Sequence, residues 1–311
     1  MLYGGMELLK IILIVVLILI VLILAAGYIF AGFSMGIRRQ TLEEAREWQA
    51  AHYDISWYDI LEKTDYTVAS YDGYQLHVQF LRNPEKTEKY ILISHGYTDN
   101  RFGSLKYTKM YLDLGFHVII YDLRGHGENA ETFCSYSARE RKDLEILIKD
   151  SRDRYPDAQV FGIHGESLGA ATSLACLENR PKVDFVVADC GFSEISDVLK
   201  NGVRSMHLPG WLVDVASVFA KLRYGYSYSD MRPIDCLKEN TIPVLFLHGE
   251  KDSFIVPEHS EKMSRETGGY SELYLIPDAG HAESVLKAPE LYREHVSSFL
   301  KNIGIPGVEN D

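Results

Sequence analysis

The sequence predicts an α/β domain with a mostly parallel sheet covered by helices on both faces, carried behind one membrane-spanning helix. Three observations predict it. From about residue 90 onward, short runs rich in Val, Ile, Leu, Phe and Tyr alternate with longer helical patterns, the rhythm of βαβ units. One such run, Val160 to His164, leads into Gly165-Glu166-Ser167-Leu168-Gly169 and then an alanine-rich helix start. Finally, Ile11–Phe33 carries no charged residue. As a helix it extends about 34 Å, enough to cross a hydrocarbon core of about 30 Å.

In chain order, residues 1–10 form a flank and 11–33 the anchor. The apolar run exceeds the roughly 7–15 residues of a signal-peptide core, and no small-x-small cleavage site follows, so a retained anchor is expected over a cleaved signal or a buried core helix. Lys10 and the amino terminus stand on one side of it and Arg38, Arg39 and Arg46 on the other, a small margin that leans towards a cytoplasmic catalytic domain. Residues 34–63 read as a juxtamembrane helix and linker. Its aromatics, Trp48, Tyr53, Trp57 and Tyr58 among them, are expected to pack on the following domain, with the lipid interface as the other reading. Residues 64–311 form the domain, about 250 residues, a usual size for one large α/β unit.

That domain opens with Tyr66–Ser70 and Tyr74–Phe80 flanking Asp72-Gly73, a hairpin signal. Strands follow at Tyr90–Ser94, Val118–Tyr121, Val160–His164, Phe185–Ala188, Pro243–Leu247 and Leu273–Ile276. Helices are expected at Ser104–Leu114, ended by Gly115, at Ala138–Arg154, after Ser167 and at Pro289–Leu300. The stretch at about 192–235 breaks the rhythm and reads as a helical insertion lying over the site like a lid. Its apolar residues, Met206 and Trp211 among them, are lid-to-body packing or the wall of a substrate pocket, and the two readings overlap.

Acidic residues outnumber basic ones, 44 to 32, for a formal charge of −12. That balance argues against nucleic acid and weakens adhesion to anionic lipid, while leaving a covalent anchor untouched. The expected partners are a small-molecule acyl substrate and a lipid bilayer reached through the N-terminal helix. Cys134, Cys176, Cys190 and Cys236 form no Cys-x-x-Cys and no metal-type spacing with histidine. They read as small buried hydrophobes, and no metal site is expected.

The chemistry centres on Ser167. A serine on a sharp strand-to-helix turn lies in strained backbone, glycines leave room for the crossing chains, and the helix N-terminus offers N–H groups to negative charge. Such a serine needs a base, and the base an orienting acid. Asp252 and His281 follow two later strands, where sites of open α/β sheets collect. The order Ser, Asp, His is one of those known for such a triad. Glu250 is the nearest rival for the acid. His164 reads as packing, and His126 and His248, in glycine-flanked turns, as structural. An oxyanion hole needs two backbone donors: the amide of Leu168, and that of Tyr97 in His95-Gly96-Tyr97, whose phenol can also help form the acyl pocket.

From about Tyr66 to Leu300 the chain resembles an α/β-hydrolase of the serine type, close to the serine aminopeptidase S33-like and Bem46-like membrane-associated hydrolases. The matching residues are His95-Gly96-Tyr97, Tyr121-Asp122-Leu123-Arg124-Gly125-His126-Gly127, Gly165-Glu166-Ser167-Leu168-Gly169, His248-Gly249-Glu250-Lys251-Asp252 and Gly280-His281. The resemblance implies the α/β-hydrolase fold: an eight-stranded, mostly parallel sheet with a lid between the sixth and seventh strands. It also implies acyl transfer at Ser167 with neither metal nor organic cofactor. The expected activity is a membrane-anchored serine esterase working through an acyl-enzyme. Peptidase, thioesterase or acyltransferase chemistry on the same site is the first rival, and a catalytically idle anchored binding protein the second.

Overall fold

The computed structural model describes residues 2–307. A long helix, α1 (Leu2–Met35), is followed by α2 (Leu42–His52) and α3 (Ser56–Ile60), then strands β1 (Lys63–Ala69), β2 (Gln75–Leu81) and β3 (Lys89–Ser94). Next come α4 (Leu105–Asp113), β4 (His117–Tyr121), α5 (Glu140–Arg154), β5 (Val160–Glu166), α6 (Leu168–Cys176) and β6 (Phe185–Asp189). The insertion contains α7 (Ile195–Ser205) and α8 (Trp211–Tyr224); β7 (Val244–Gly249), α9 (Glu258–Glu266), β8 (Ser271–Ile276), α10 (Ser284–Lys287) and α11 (Pro289–Asn302) complete the chain.

The strands form one sheet in the order β1-β2-β4-β3-β5-β6-β7-β8. β1 and β2 are antiparallel, joined through Gly73 at φ +82°, β2 is antiparallel to β4, and the other neighbours are parallel. Strands β3 to β7 are buried almost throughout, as expected of a sheet covered on both faces. Alternation then sorts their residues. Leu92, Ile163, Val186 and Phe246 pack on one face with α5, α6 and the insertion. Ile91, Ile93, Phe185 and Leu245 pack on the other with α4 and α11.

The N-terminal region departs from a simple anchor plus linker. Residues 11–22 of α1 are exposed, and among the described residues α1 is the one helix long and apolar enough to cross a membrane. Its last turns, however, belong to the domain core: Ala31 and Met35 are fully buried. Tyr136 donates to the Ser34 carbonyl, the Cys134 amide donates to the Met35 carbonyl at 2.9 Å, and Arg39 reaches the Asn129 carbonyl at 2.8 Å. Thr41 then starts α2 with a capping box closed by Glu44, and Asn100 Nδ2 holds the Thr41 carbonyl at 3.1 Å.

Candidate active site

Ser167 sits between β5 and α6 with φ 53° and ψ −111°. For a non-glycine residue this is a costly conformation that the surrounding structure must enforce. The enforcement is visible in its neighbours. A Cβ added to Gly165 would lie 2.2 Å from the Gly169 carbonyl oxygen, and one added to Gly169 would lie 2.1 Å from that of Ser94. Only glycine permits these crossings, which turn the serine away from the strand.

The structure brings three of the expected side chains together. Ser167 Oγ lies 2.9 Å from His281 Nε2, and His281 Nδ1 lies 2.7 Å from Asp252 Oδ2. Asp252 occupies the loop beyond β7 and His281 that beyond β8, so adjacent parallel strands present the two side chains at the same rim. The other oxygen of Asp252 accepts the amides of Phe254 and Ile255, each at 2.9 Å. Burial alone would raise this carboxyl. Donors from His248, His281 and Ile255 outweigh it and hold the group well below the usual carboxylate range. An acceptor ionised in this way selects the Nδ1–H tautomer of His281 and leaves the Nε2 lone pair facing Ser167. Glu250, the rival acid, is exposed.

The loop after β3 runs past the serine: a Cβ on Gly96 would lie 3.7 Å from that of Ser167. Tyr97 follows Gly96 in this loop, and Leu168 follows Ser167 as the first residue of α6, whose opening N–H groups lack intrahelical acceptors. The Tyr97 ring lines a cavity of about 420 Å³ beside His281. Its phenol is committed elsewhere, donating to the Gly36 carbonyl just beyond α1.

Met206 and Trp211 do not line that cavity. They stand 67 % and 47 % exposed around the α7–α8 turn, because α8 turns Val213, Ala216 and Ala220 inward instead. Of the insertion's tyrosines, Tyr228 is buried and pairs with Ser34, while the Tyr224 ring lies tilted against Phe133 at 4.9 Å. The cavity wall is supplied by α2, through Trp48, Gln49 and His52. Gln49 is 1 % exposed and its amide oxygen has no hydrogen-bond partner. Trp48 was expected to pack on the domain, but Gln49 and His52 carry no local mark of the cavity they wall.

Beneath the elbow, Lys106 pairs with Glu166, and Tyr107 Oη donates to Glu166 at 2.5 Å and to Asp189 at 3.0 Å. Burial, with Glu166 nearby, pushes Asp189 up to about 6, and the same two causes act on Asp99. His164 is buried against Tyr111 at 3.0 Å, and burial moves it down to about 3. His126 is buried on the Arg124 carbonyl. His248 does more than fill a turn, because its Nε2 lies 3.3 Å from Asp252 Oδ2. Among the described residues, Cys190, Asp252 and His281 form the one trio whose ligand atoms lie within 4.8 Å of each other. Asp252 and His281 are already bonded together, and burial pushes the Cys190 thiol up, so the set is a poor metal cradle.

An eight-stranded α/β sheet with a serine at its central elbow defines a serine hydrolase of the α/β-hydrolase fold. The chain belongs to the prolyl oligopeptidase family, which it matches over residues 103–304. It is 33 % identical over 301 residues to the uncharacterized protein YqkD of Bacillus subtilis, covering 95 % of this chain and 98 % of that one. With the uncharacterized membrane protein YNL320W of Saccharomyces cerevisiae it shares 22 % identity over 237 residues, 75 % of this chain and 78 % of the other. Among solved structures it is similar in fold to an esterase of Pyrococcus furiosus, with a TM-score of 0.67 and 22 % identity over 80 % of this chain and 94 % of the esterase.

Proposed function

We propose that the protein is a membrane-anchored carboxylic ester hydrolase in which Ser167, His281 and Asp252 form the catalytic triad. The observation that carries this reading is the unbroken relay from Ser167 Oγ through His281 to Asp252 at 2.9 and 2.7 Å. His281 Nε2 takes the hydroxyl proton as Ser167 Oγ attacks the ester carbonyl. The amides of Leu168 and Tyr97 stabilise the developing oxyanion, a role in which one donor is worth on the order of 100- to 1,000-fold in turnover. His281 then protonates the departing alkoxide, leaving an acyl-Ser167 that water cleaves by the same steps in reverse.

The apolar run 11–33 within α1 is the anchor, flanked by residues 1–10, and residues 34–63 lead into the catalytic domain from residue 64 onward. Arg38, Arg39 and Arg46 outnumber Lys10 across the helix, which favours a cytoplasmic catalytic domain. The structural likeness to an esterase supports ester over amide. A peptidase reading draws on the family's name and on Asp99 and Glu283 in the cavity wall, which suit a substrate ammonium group.

Hydrolysis of p-nitrophenyl esters, aminoacyl anilides and acyl thioesters by the full chain in detergent separates these readings. The esters are expected to turn over fastest, with Ser167→Ala at background. Faster anilide cleavage would establish the peptidase, and no Ser167-dependent cleavage of any substrate would leave an idle scaffold.

A further inference from the structure

The insertion turns its apolar residues away from the catalytic cavity, and its packing against α1 explains where they go. α8 runs beside the end of α1 in the same direction. A Cβ on Gly27 would lie 2.6 Å from Val215 and 3.4 Å from the Ala216 amide nitrogen, Phe219 meets Tyr28 edge-on at 5.8 Å, and Arg223 donates to the Tyr28 carbonyl at 3.0 Å. Small residues in both helices, Gly27 and Ala31 against Ala216 and Ala220, permit backbone approach of the kind found between membrane helices. Continuing this register by one turn sets Trp211 level with Ile23.

The bilayer fixes the depth of that contact. Starting after Lys10, twenty residues at 1.5 Å each fill a core of about 30 Å and end near Phe30. Val215 and Trp211 then lie roughly 5 and 10 Å inside the boundary, the depth at which interfacial helices seat their apolar faces. The exposed residues fit this placement: on α8 Trp211, 47 % exposed, lies inside the boundary and Val218, 59 % exposed, at it, with Met206 and Leu208 at the turn, while Leu222 falls about 6 Å outside, beside Arg223. Arg223, stacked over the Tyr28 ring at 4.3 Å, falls near the headgroups. Asp214, which faces the same zone, is paired with Lys200 at 2.8 Å.

We infer that the α7–α8 insertion is a second membrane contact, seated in the acyl–headgroup boundary beside α1. It would hold the catalytic cavity against the bilayer, so that the ester it takes is a membrane-borne amphiphile. The inference rests on the anchor reading of α1, and its test keeps the two apart.

Full-length protein with Cys236→Ser, its other cysteines buried, is labelled with an environment-sensitive fluorophore through Leu17→Cys, Trp211→Cys, Val218→Cys or Glu266→Cys. Each variant is reconstituted in phosphatidylcholine–phosphatidylglycerol vesicles. Labels at 17, 211 and 218 are expected to be quenched at least about twofold more by acyl-brominated lipid than the label at 266, which answers to aqueous iodide. Quenching at 17 but not at 211 and 218 overturns the docking surface alone, including the case where those labels are shielded from both quenchers by a protein partner. No quenching at 17 overturns the anchor and the inference with it. Trp211 and Val218 are exposed, so these substitutions leave the packed face of α8 intact.

Discussion

His248 Nε2 stands 3.3 Å from the Asp252 oxygen that also meets His281 Nδ1 at 2.7 Å. One carboxylate thus holds two imidazoles. His248 is itself fixed, with Nδ1 2.7 Å from Ser260 Oγ and Nε2 2.7 Å from the Ile255 carbonyl. In the proposed triad it positions Asp252. Replacing it with Phe removes the Nε2–H that binds the Ile255 carbonyl and lies 3.3 Å from the ionised Asp252, loosening the loop that holds the carboxylate. The expected result is a kcat at least tenfold lower with KM little changed, since Asp252 stays ionised and only its placement suffers. Partial rescue by His248→Gln would separate positioning from mere filling of space.

Asp189 behaves in the opposite way. Its carboxyl is pushed up to about 6, above its unfolded value, so the folded state favours the protonated form. Ionisation therefore costs stability as pH rises from about 4 through 6, and the penalty is complete above that. Asp189→Asn should compare better with the parent at pH 8 than at pH 5. Thermal unfolding of both proteins at the two pH values checks the sign.

Gly169→Ala places a methyl 2.1 Å from the Ser94 carbonyl oxygen, which is backbone and has little freedom to yield. Overpacking of this kind costs about 1–3 kcal/mol or more. A lower midpoint in urea is expected, together with loss of Ser167 reactivity in the fraction that remains folded.

The core position of Ala31 and Met35 divides the N-terminal region by function. Removing residues 1–22 should leave a folded domain that still hydrolyses a soluble ester. Removing residues 1–41 should abolish cooperative unfolding and activity, because it strips the Gly36 acceptor from Tyr97 and the α1 packing from α8. Near-UV circular dichroism with an ester assay tests both.

Much of the architecture was legible in the chain because backbone demands leave marks. Asp72-Gly73 gave the hairpin, Gly165 and Gly169 the elbow, and loops after buried strands gave Asp252 and His281. What stayed hidden were contacts without a local signature. A helix apolar all round, as α1 is, does not declare which stripe it buries, although Gly27 and Ala31 mark one once α8 is seen beside them. Met206 and Trp211 read as lid-to-body packing or pocket wall, and they stand exposed because α8 turns Val213, Ala216 and Ala220 inward instead. His248 looked like an ordinary turn residue because reach towards Asp252 depends on loop geometry rather than spacing.

The central claim is that Ser167 is the nucleophile activated by His281, and intact-mass spectrometry after exposure to a fluorophosphonate tests it most directly. The wild-type chain should gain one phosphonyl adduct, mapped to Ser167 by fragmentation, with Ser167→Ala gaining none and His281→Ala reacting at least about 1,000-fold more slowly. An adduct on another residue, or equal labelling of all three proteins, would contradict the account.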